Sequence, residues 1–167
     1  MNDDLTRQDI EKMQAEIEHR KYELMPGILE EVKRTRAFGD LSENYEYKAA
    51  KQEQRRNMSR IRYLERMIAT AHVIEDSSSQ SEAGLYDKIE LRMVEDQEDM
   101  TIRVTTTVRC DPALGYISKE SPLGRAVLGR RVGERVSVVI NENTGYTVEI
   151  LSIEKGQDDG DAPLMPY

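Results

Sequence analysis

The chain reads as an α+β protein: an N-terminal antiparallel α-helical coiled-coil hairpin, then a small antiparallel-sheet domain. Three observations predict this. From Leu5 to about Ile74, apolar residues recur at helical spacing with almost no Gly or Pro. Beyond residue 84 the period falls to two and β-branched residues dominate. Between the two lies DSSSQSEAG, residues 76–84, small and polar throughout. On this division residues 1–75 form the hairpin, 76–84 a linker, 85–156 the sheet domain, and 157–167 an acidic Pro/Gly tail expected to be disordered.

Helix one carries Ile10, Met13, Ile17, Leu24, Ile28 and Val32, and helix two carries Ala50, Met58, Ile61, Leu64, Ile68 and Ala71. The strong punctuation between them is Phe38-Gly39-Asp40. This folds the helices back on each other with the tip at residues 37–44. Each arm holds about 30 residues, roughly 45 Å at 1.5 Å per residue. Pro26-Gly27 interrupts helix one, where an interior proline costs about 3 kcal/mol. The apolar spacing carries across it, so a continuous kinked helix is expected.

In the second half Ile89, Leu91 and Met93 alternate with polar residues, and MTIRVTTTVR follows an acidic turn, giving one strand pair. Arg135–Ile140 and Tyr146–Ile153 give another around Asn-Glu-Asn-Thr-Gly. Between the pairs, SPLGRAVLG has a capping serine, a first-position proline and a closing glycine, the marks of one short helix.

Composition excludes several classes. In 167 residues the one cysteine, Cys110, leaves no internal disulfide partner and no cysteine-based zinc site. The N-terminus carries acids where a signal peptide has bases, and no apolar run reaches the ~18 residues of a membrane span, so a cytoplasmic protein is expected. A net charge of −8 disfavours unaided binding to duplex DNA. The charge is uneven: residues 1–75 hold 14 basic and 15 acidic side chains, and residues 76–167 hold 10 and 17.

At the turn, GDLSENYEY places Asp40 and Glu43 three residues apart, on one side of a first helical turn. One reading is a capping box, with Asp40 as N-cap and Glu43 as its partner. The other is a pair of carboxylates that holds a divalent cation or positions a water. Two oxygen ligands make a weak Mg²⁺ site unless another molecule completes it. Behind the tip, Lys48, Lys51, Arg55, Arg62 and Arg66 form a stripe on helix two, and Lys33, Arg34 and Arg36 add charge from the opposing arm. Such a stripe is either a solvated face or a track for a phosphate backbone. Tyr47 is expected to pack in the seam, whereas Tyr45 suits packing or stacking on a base.

The segment GDLSENYEYKAAKQEQ resembles the tip of the Gre factors, the bacterial transcript-cleavage factors of RNA polymerase, in which GDLSENAEY is a hallmark. The segments SPLGRAVLG and VGERVSV resemble the C-terminal domain of that family, which has an FKBP-like fold. The resemblance, nearer the GreA type, implies a non-enzymatic elongation factor that is monomeric and binds RNA polymerase. Its coiled coil would enter the secondary channel and stimulate Mg²⁺-dependent cleavage of backtracked RNA by the polymerase. By resemblance Asp40 and Glu43 are the catalytic pair, holding Mg²⁺ only within the complex and not in the isolated protein. Ser42, Asn44 and Tyr45 support the tip. Arg36, Lys48, Lys51 and Arg55 hold the nascent RNA 3′ segment. Glu120, Ser121 and Pro122 match the family's polymerase-docking segment, with Ile117 and Leu123 as its apolar contacts; the same stretch reads equally as an ordinary helix start, with Leu123 and Val127 packed on the sheet.

Two departures from the family pattern stand out. Tyr45 replaces a small residue after the SEN triplet, and TTTVRCDPALGY stands where a Gly-Glu-Ala-Asp-like run is usual. Two other functions compete. One is a channel-occupying regulator that does not stimulate cleavage, which the intact Asp40 and Glu43 pair argues against. The other is an FKBP-type prolyl isomerase with a helical arm, weak because the aromatics after residue 75 are only Tyr86, Tyr116, Tyr146 and Tyr167.

Overall fold

The structure is a computed structural model that describes residues 3–39 and 44–166. Its contacts separate two units, one containing Ile10–Ala71 and the other Asp4–Asp9 with His72–Pro166.

The first unit is the expected helical hairpin. Its first arm comprises α1 (Arg7–His19), a π-helical segment (Arg20–Leu24) and α2 (Met25–Arg36), and its second arm is α3 (Tyr45–Ala69). Glu16 meets Arg60, Arg20 meets Asn57 and Thr35 meets Asn44, so numbers rise on one arm as they fall on the other, the mark of antiparallel packing. The first arm runs through Pro26 without leaving the helical region. The π segment explains how: the Met25 N–H reaches back to the Arg20 carbonyl, and the widened turn relieves the clash that proline makes four residues upstream. Leu24, expected on the apolar stripe, falls in that widened turn and is 38 % exposed, while Ile17 and Ile28 on either side are buried.

The seam of α3 also differs from its expected membership. Ala50, Ile61 and Leu64 are buried as predicted, but Met58 is exposed and Asn57 takes the inward place. A reading restricted to apolar residues passes over a polar side chain in the seam.

The second unit is a five-stranded sheet in the order β5-β4-β3-β7-β6, from β3 (Lys88–Met93), β4 (Glu98–Thr105), β5 (Tyr116–Ser118), β6 (Arg135–Asn141) and β7 (Thr144–Glu154). The four predicted strands pair antiparallel. The unforeseen β5 pairs parallel to β4, so the sheet is mixed. Two 3₁₀ turns, Thr107–Arg109 and Pro112–Leu114, bring the chain round for that pairing, and three residues are too few to show a period. A parallel pair of two-residue strands, β1 (Asp4–Leu5) and β2 (His72–Val73), also lies in this unit. Ile89, Leu91, Ile102, Val104, Val138, Val148 and Ile150 form the buried face of the sheet, covered by Leu123 and Val127 of α4 (Pro122–Val127).

Residues 76–84 are not a free linker. Lys155 Nζ donates to Ser78 Oγ at 2.9 Å and to the Glu82 carbonyl at 2.9 Å, and Ala83 exchanges backbone hydrogen bonds with Arg130 and Gly129. The acidic tail, expected to be disordered, is held at Asp158, Ala162 and Met165. Ala162 is fully buried, and the Met165 N–H donates to the Val108 carbonyl at 2.7 Å. Its composition misled because one buried cation, Arg109, supplies the partner that an acidic segment lacks in isolation.

Candidate functional site: the hairpin tip and its basic face

Helix α2 ends at Arg36, and the chain leaves it through Gly39, whose φ of +99° is open to glycine and strained for other residues. Helix α3 begins at Tyr45 with Asn44 as its N-cap. The Asn44 side chain accepts from the Tyr47 N–H at 3.0 Å and donates across the hairpin to the Thr35 carbonyl at 2.7 Å. Thr35 is itself buried and donates its hydroxyl to the Glu31 carbonyl at 2.8 Å. One amide therefore caps the second arm and ties it to the last turn of the first.

Asp40, Ser42 and Glu43 lie outside the described residues. The capping-box reading still receives an answer, because the N-cap that it assigned to Asp40 is filled by Asn44. Asn44, one of the residues expected to support the tip, holds the two hydrogen bonds given above. The Tyr45 ring is exposed, with Lys48 Nζ 5.5 Å from its centroid, and Tyr47 is partly buried.

Arg36, Lys48 and Arg55 are exposed, and Lys51 is half-buried, donating to Gln54 Oε1 at 2.8 Å. At ~100° per residue, Lys48, Lys51, Arg55, Arg62 and Arg66 cluster on the side of α3 opposite the buried Ala50, Asn57, Ile61 and Leu64. The stripe is thus a true outer face. Two basic residues nearby do not join it. Arg60 is buried against Glu16, and Arg34 is paired with Glu31 and Glu46.

Of the proposed docking residues, Ser121 is the N-cap of α4, accepting from the Gly124 N–H at 3.0 Å and donating to the Ser118 carbonyl at 2.7 Å. Pro122 is exposed at the first helical position, and Glu120 is exposed and bound by Arg125 and Lys119. Those hydrogen bonds hold the Glu120 carboxyl below the usual range, Arg125 contributing most. Leu123 is the exception. It is 8 % exposed and belongs to the core, so it anchors α4 and offers no contact surface. Ile117 is partly buried against the same core.

Sequence reasoning missed a polar cluster next to this end. Asp4 on β1 accepts from Lys119, and from His72 on β2 when that ring carries its Nδ1 proton. Lys119 above all, then His72, depresses the Asp4 carboxyl. A lysine beside a predicted docking motif gives no signal that its partner lies 115 positions away. No group of three His, Cys, Asp or Glu side chains among the described residues could hold a metal ion. No helix among them is long and apolar enough to cross a membrane.

Residues 4–73 match the family described as Transcription elongation factor, N-terminal, and residues 78–155 match Transcription elongation factor, GreA/GreB, C-term. The chain is 37 % identical over 154 residues to Transcription elongation factor GreA of Oenococcus oeni, covering 92 % of this chain and 95 % of that protein. It is 41 % identical over 134 residues to Transcription elongation factor GreA of Thermotoga sp. strain RQ2, covering 80 % and 86 %. Among solved structures, that of the GreA factor homolog 1 protein of Thermus thermophilus aligns with a TM-score of 0.42 at 24 % identity, over 93 % of this chain and all of the other.

Proposed function

Because the chain belongs to the GreA/GreB family of transcription elongation factors, we propose that it binds RNA polymerase in the cytoplasm as a monomer, inserts its hairpin in the secondary channel and stimulates cleavage of backtracked RNA. The polymerase performs the hydrolysis, and this chain is not an enzyme on its own. The observation that carries the reading is the cap of α3: Asn44 accepts from the Tyr47 N–H and donates across the hairpin to the Thr35 carbonyl, so the N-cap place of that helix is filled by Asn44.

The donor set at the tip fits a hard cation. Two carboxylates supply oxygen ligands of the kind Mg²⁺ takes, and their small number suits a site that the polymerase and RNA complete. When bound, Mg²⁺ would stabilise the attacking and leaving oxygens of the phosphodiester. Asp40 and Glu43 would supply charge to that shell and orient the attacking water by accepting its hydrogen bonds. Arg36, Lys48, Lys51 and Arg55 would hold the phosphates of the displaced 3′ segment. Glu120, Ser121 and Pro122 would supply the polar docking contacts to the polymerase.

The experiment is a cleavage assay on backtracked polymerase with Mg²⁺. The wild-type chain releases short 3′ fragments, and Asp40→Asn or Glu43→Gln removes the stimulation while binding to polymerase persists. Full cleavage by both variants would overturn the carboxylate mechanism. Binding by the wild type without cleavage would make the chain a channel-occupying regulator.

A further inference from the structure

On α3, Ala50, Asn57 and Leu64 recur every seven residues on the buried face, and Arg60 and Met67 stand three positions after the second and third. These are the a and d places of a heptad, where apolar side chains are the rule. Two of the five are polar, and both are paired across the seam. Asn57 Oδ1 accepts from Arg20 Nη1 at 3.0 Å, and Asn57 Nδ2 donates to the Arg20 carbonyl at 3.1 Å. Glu16 receives Arg20 Nε at 2.8 Å and the two-point fork of Arg60 at 2.8 and 3.1 Å. Burial alone would raise the Glu16 carboxyl, but the Arg60 and Arg20 guanidinium groups hold it below its ordinary value.

The location of this set matters as much as its chemistry. The Arg20 carbonyl opens the π segment and also accepts the Met25 N–H. A π turn acts as one extra residue in an α-helix. Whichever residue is extra sets the helical phase of everything beyond it on that arm. Asn57 grips the side chain and the carbonyl of the residue at the start of that turn, so it fixes both the place of the insertion and the alignment of the arms. Apolar side chains at this level would pack in several alignments, whereas these donors and acceptors are satisfied in one.

We infer that Asn57, with Arg20, Glu16 and Arg60, is a register lock that sets how far one arm stands ahead of the other. It thereby sets how Gly39 and Asn44, which flank the tip carboxylates in the sequence, stand to one another. Asn57 is a positioning residue for the tip carboxylates. A slip of one residue along a helix is about 1.5 Å. At a reaction centre a displacement of about 1 Å costs on the order of a hundredfold in rate.

The inference rests on the functional reading above for one of its two readouts, so the test uses both. Asn57→Leu is compared with the wild-type chain in a Cys110→Ser background, with nitroxide labels at the exposed positions 33 and 52 on opposite arms. The expected result is unchanged helicity and thermal midpoint, an inter-label distance distribution that broadens from one narrow peak, and a cleavage rate at saturating factor at least tenfold lower. Competition for polymerase stays the same. A narrow distribution or an unchanged rate, either alone, overturns the lock. Should the wild-type chain stimulate no cleavage, the functional reading falls, and the distance distribution alone decides the lock. Should Asn57→Leu lose helicity, Arg20→Lys replaces it under the same readouts, because it keeps a cation for Glu16 and drops the Nη1 hydrogen bond to Asn57.

Discussion

Arg109 and Asp158 form a two-point ion pair, Nη1 and Nη2 lying 2.6 and 2.7 Å from the carboxylate oxygens, around a guanidinium with no solvent exposure. The same guanidinium donates through Nη1 to Asp9 at 3.0 Å and through Nε to the Ala162 carbonyl at 2.6 Å, and its carbon lies 5.4 Å from the centre of the Tyr86 ring. Asp9, in the first turn of α1, also accepts from Thr106 Oγ1 at 2.7 Å. A buried cation with two carboxylates is expensive to desolvate and worse to leave half-paired. Three distant stretches of chain meet at this one residue, and the tail is one of them.

Replacing Asp158 by Asn leaves Arg109 facing Asp9 alone. Removing one partner of a buried pair costs about 3–5 kcal/mol, and the lower end is expected here because Asp9 and Ala162 remain. The urea midpoint of the sheet domain, followed by tyrosine fluorescence, should fall accordingly. A midpoint unchanged within error would mean that the tail is not held by this pair.

Acid should act through the same contact. Burial by itself would raise the Asp158 carboxyl, but the Arg109 hydrogen bonds and the Gly160 N–H outweigh it and leave it below its ordinary value. A carboxyl depressed in the folded state stabilises above the unfolded value, about pH 4, and loses that contribution as the pH falls through the folded value. Stability of the wild type should therefore decline below about pH 4. The Asp158→Asn chain should decline less steeply over the same range. Parallel acid titrations of the two proteins, monitored by thermal midpoint, provide the comparison.

How much of this was legible beforehand follows from which signals are local. The two periods announced the hairpin and four strands, because Met13, Ile17, Ile61 and Leu64, like Ile89 and Leu91, each face a core that repeats along the chain. The tip motif stood out as a string, yet the cap within it went to Asn44 and not to Asp40, since both residue types cap equally well. What stayed hidden was pairing at long range. Nothing near Arg109 points to Asp158, and nothing near Asn57 points to Arg20. Composition likewise made 157–167 look disordered, although residues 158 and 162 neutralise and cover a buried guanidinium.

Gly124 is predicted to be intolerant of any side chain. A Cβ built there would lie 2.1 Å from the Ser118 carbonyl oxygen, the backbone atom that also accepts the Ser121 hydroxyl. Neither partner can yield without parting α4 from β5. Gly124→Ala should therefore destabilise the sheet domain by more than the ~1 kcal/mol expected for removing the cap with Ser121→Ala. Thermal melts of both variants test the order. If Ser121→Ala also weakens polymerase binding while its melt barely moves, the serine is a contact as well as a cap.

Arg55 and Arg60 provide a direct contrast between a solvated cation and a seam cation on one helix. Arg55 is exposed and its side chain takes part in no ion pair among those described, whereas Arg60 is buried on Glu16. Reversing charge at an exposed position away from special contacts changes stability by no more than about 0.5 kcal/mol. Arg55→Glu should thus fold normally. If the outer stripe holds RNA phosphates, it should reduce cleavage severalfold, and the salt dependence should become shallower by about one phosphate contact, near 0.7 in the logarithmic slope for a single strand. Arg60→Ala should do the opposite, lowering the melting midpoint because Glu16 loses its partner from the second arm. Measuring cleavage against potassium chloride concentration for both variants separates the roles. An Arg55→Glu chain with wild-type rate and slope would return the stripe to an ordinary solvated face.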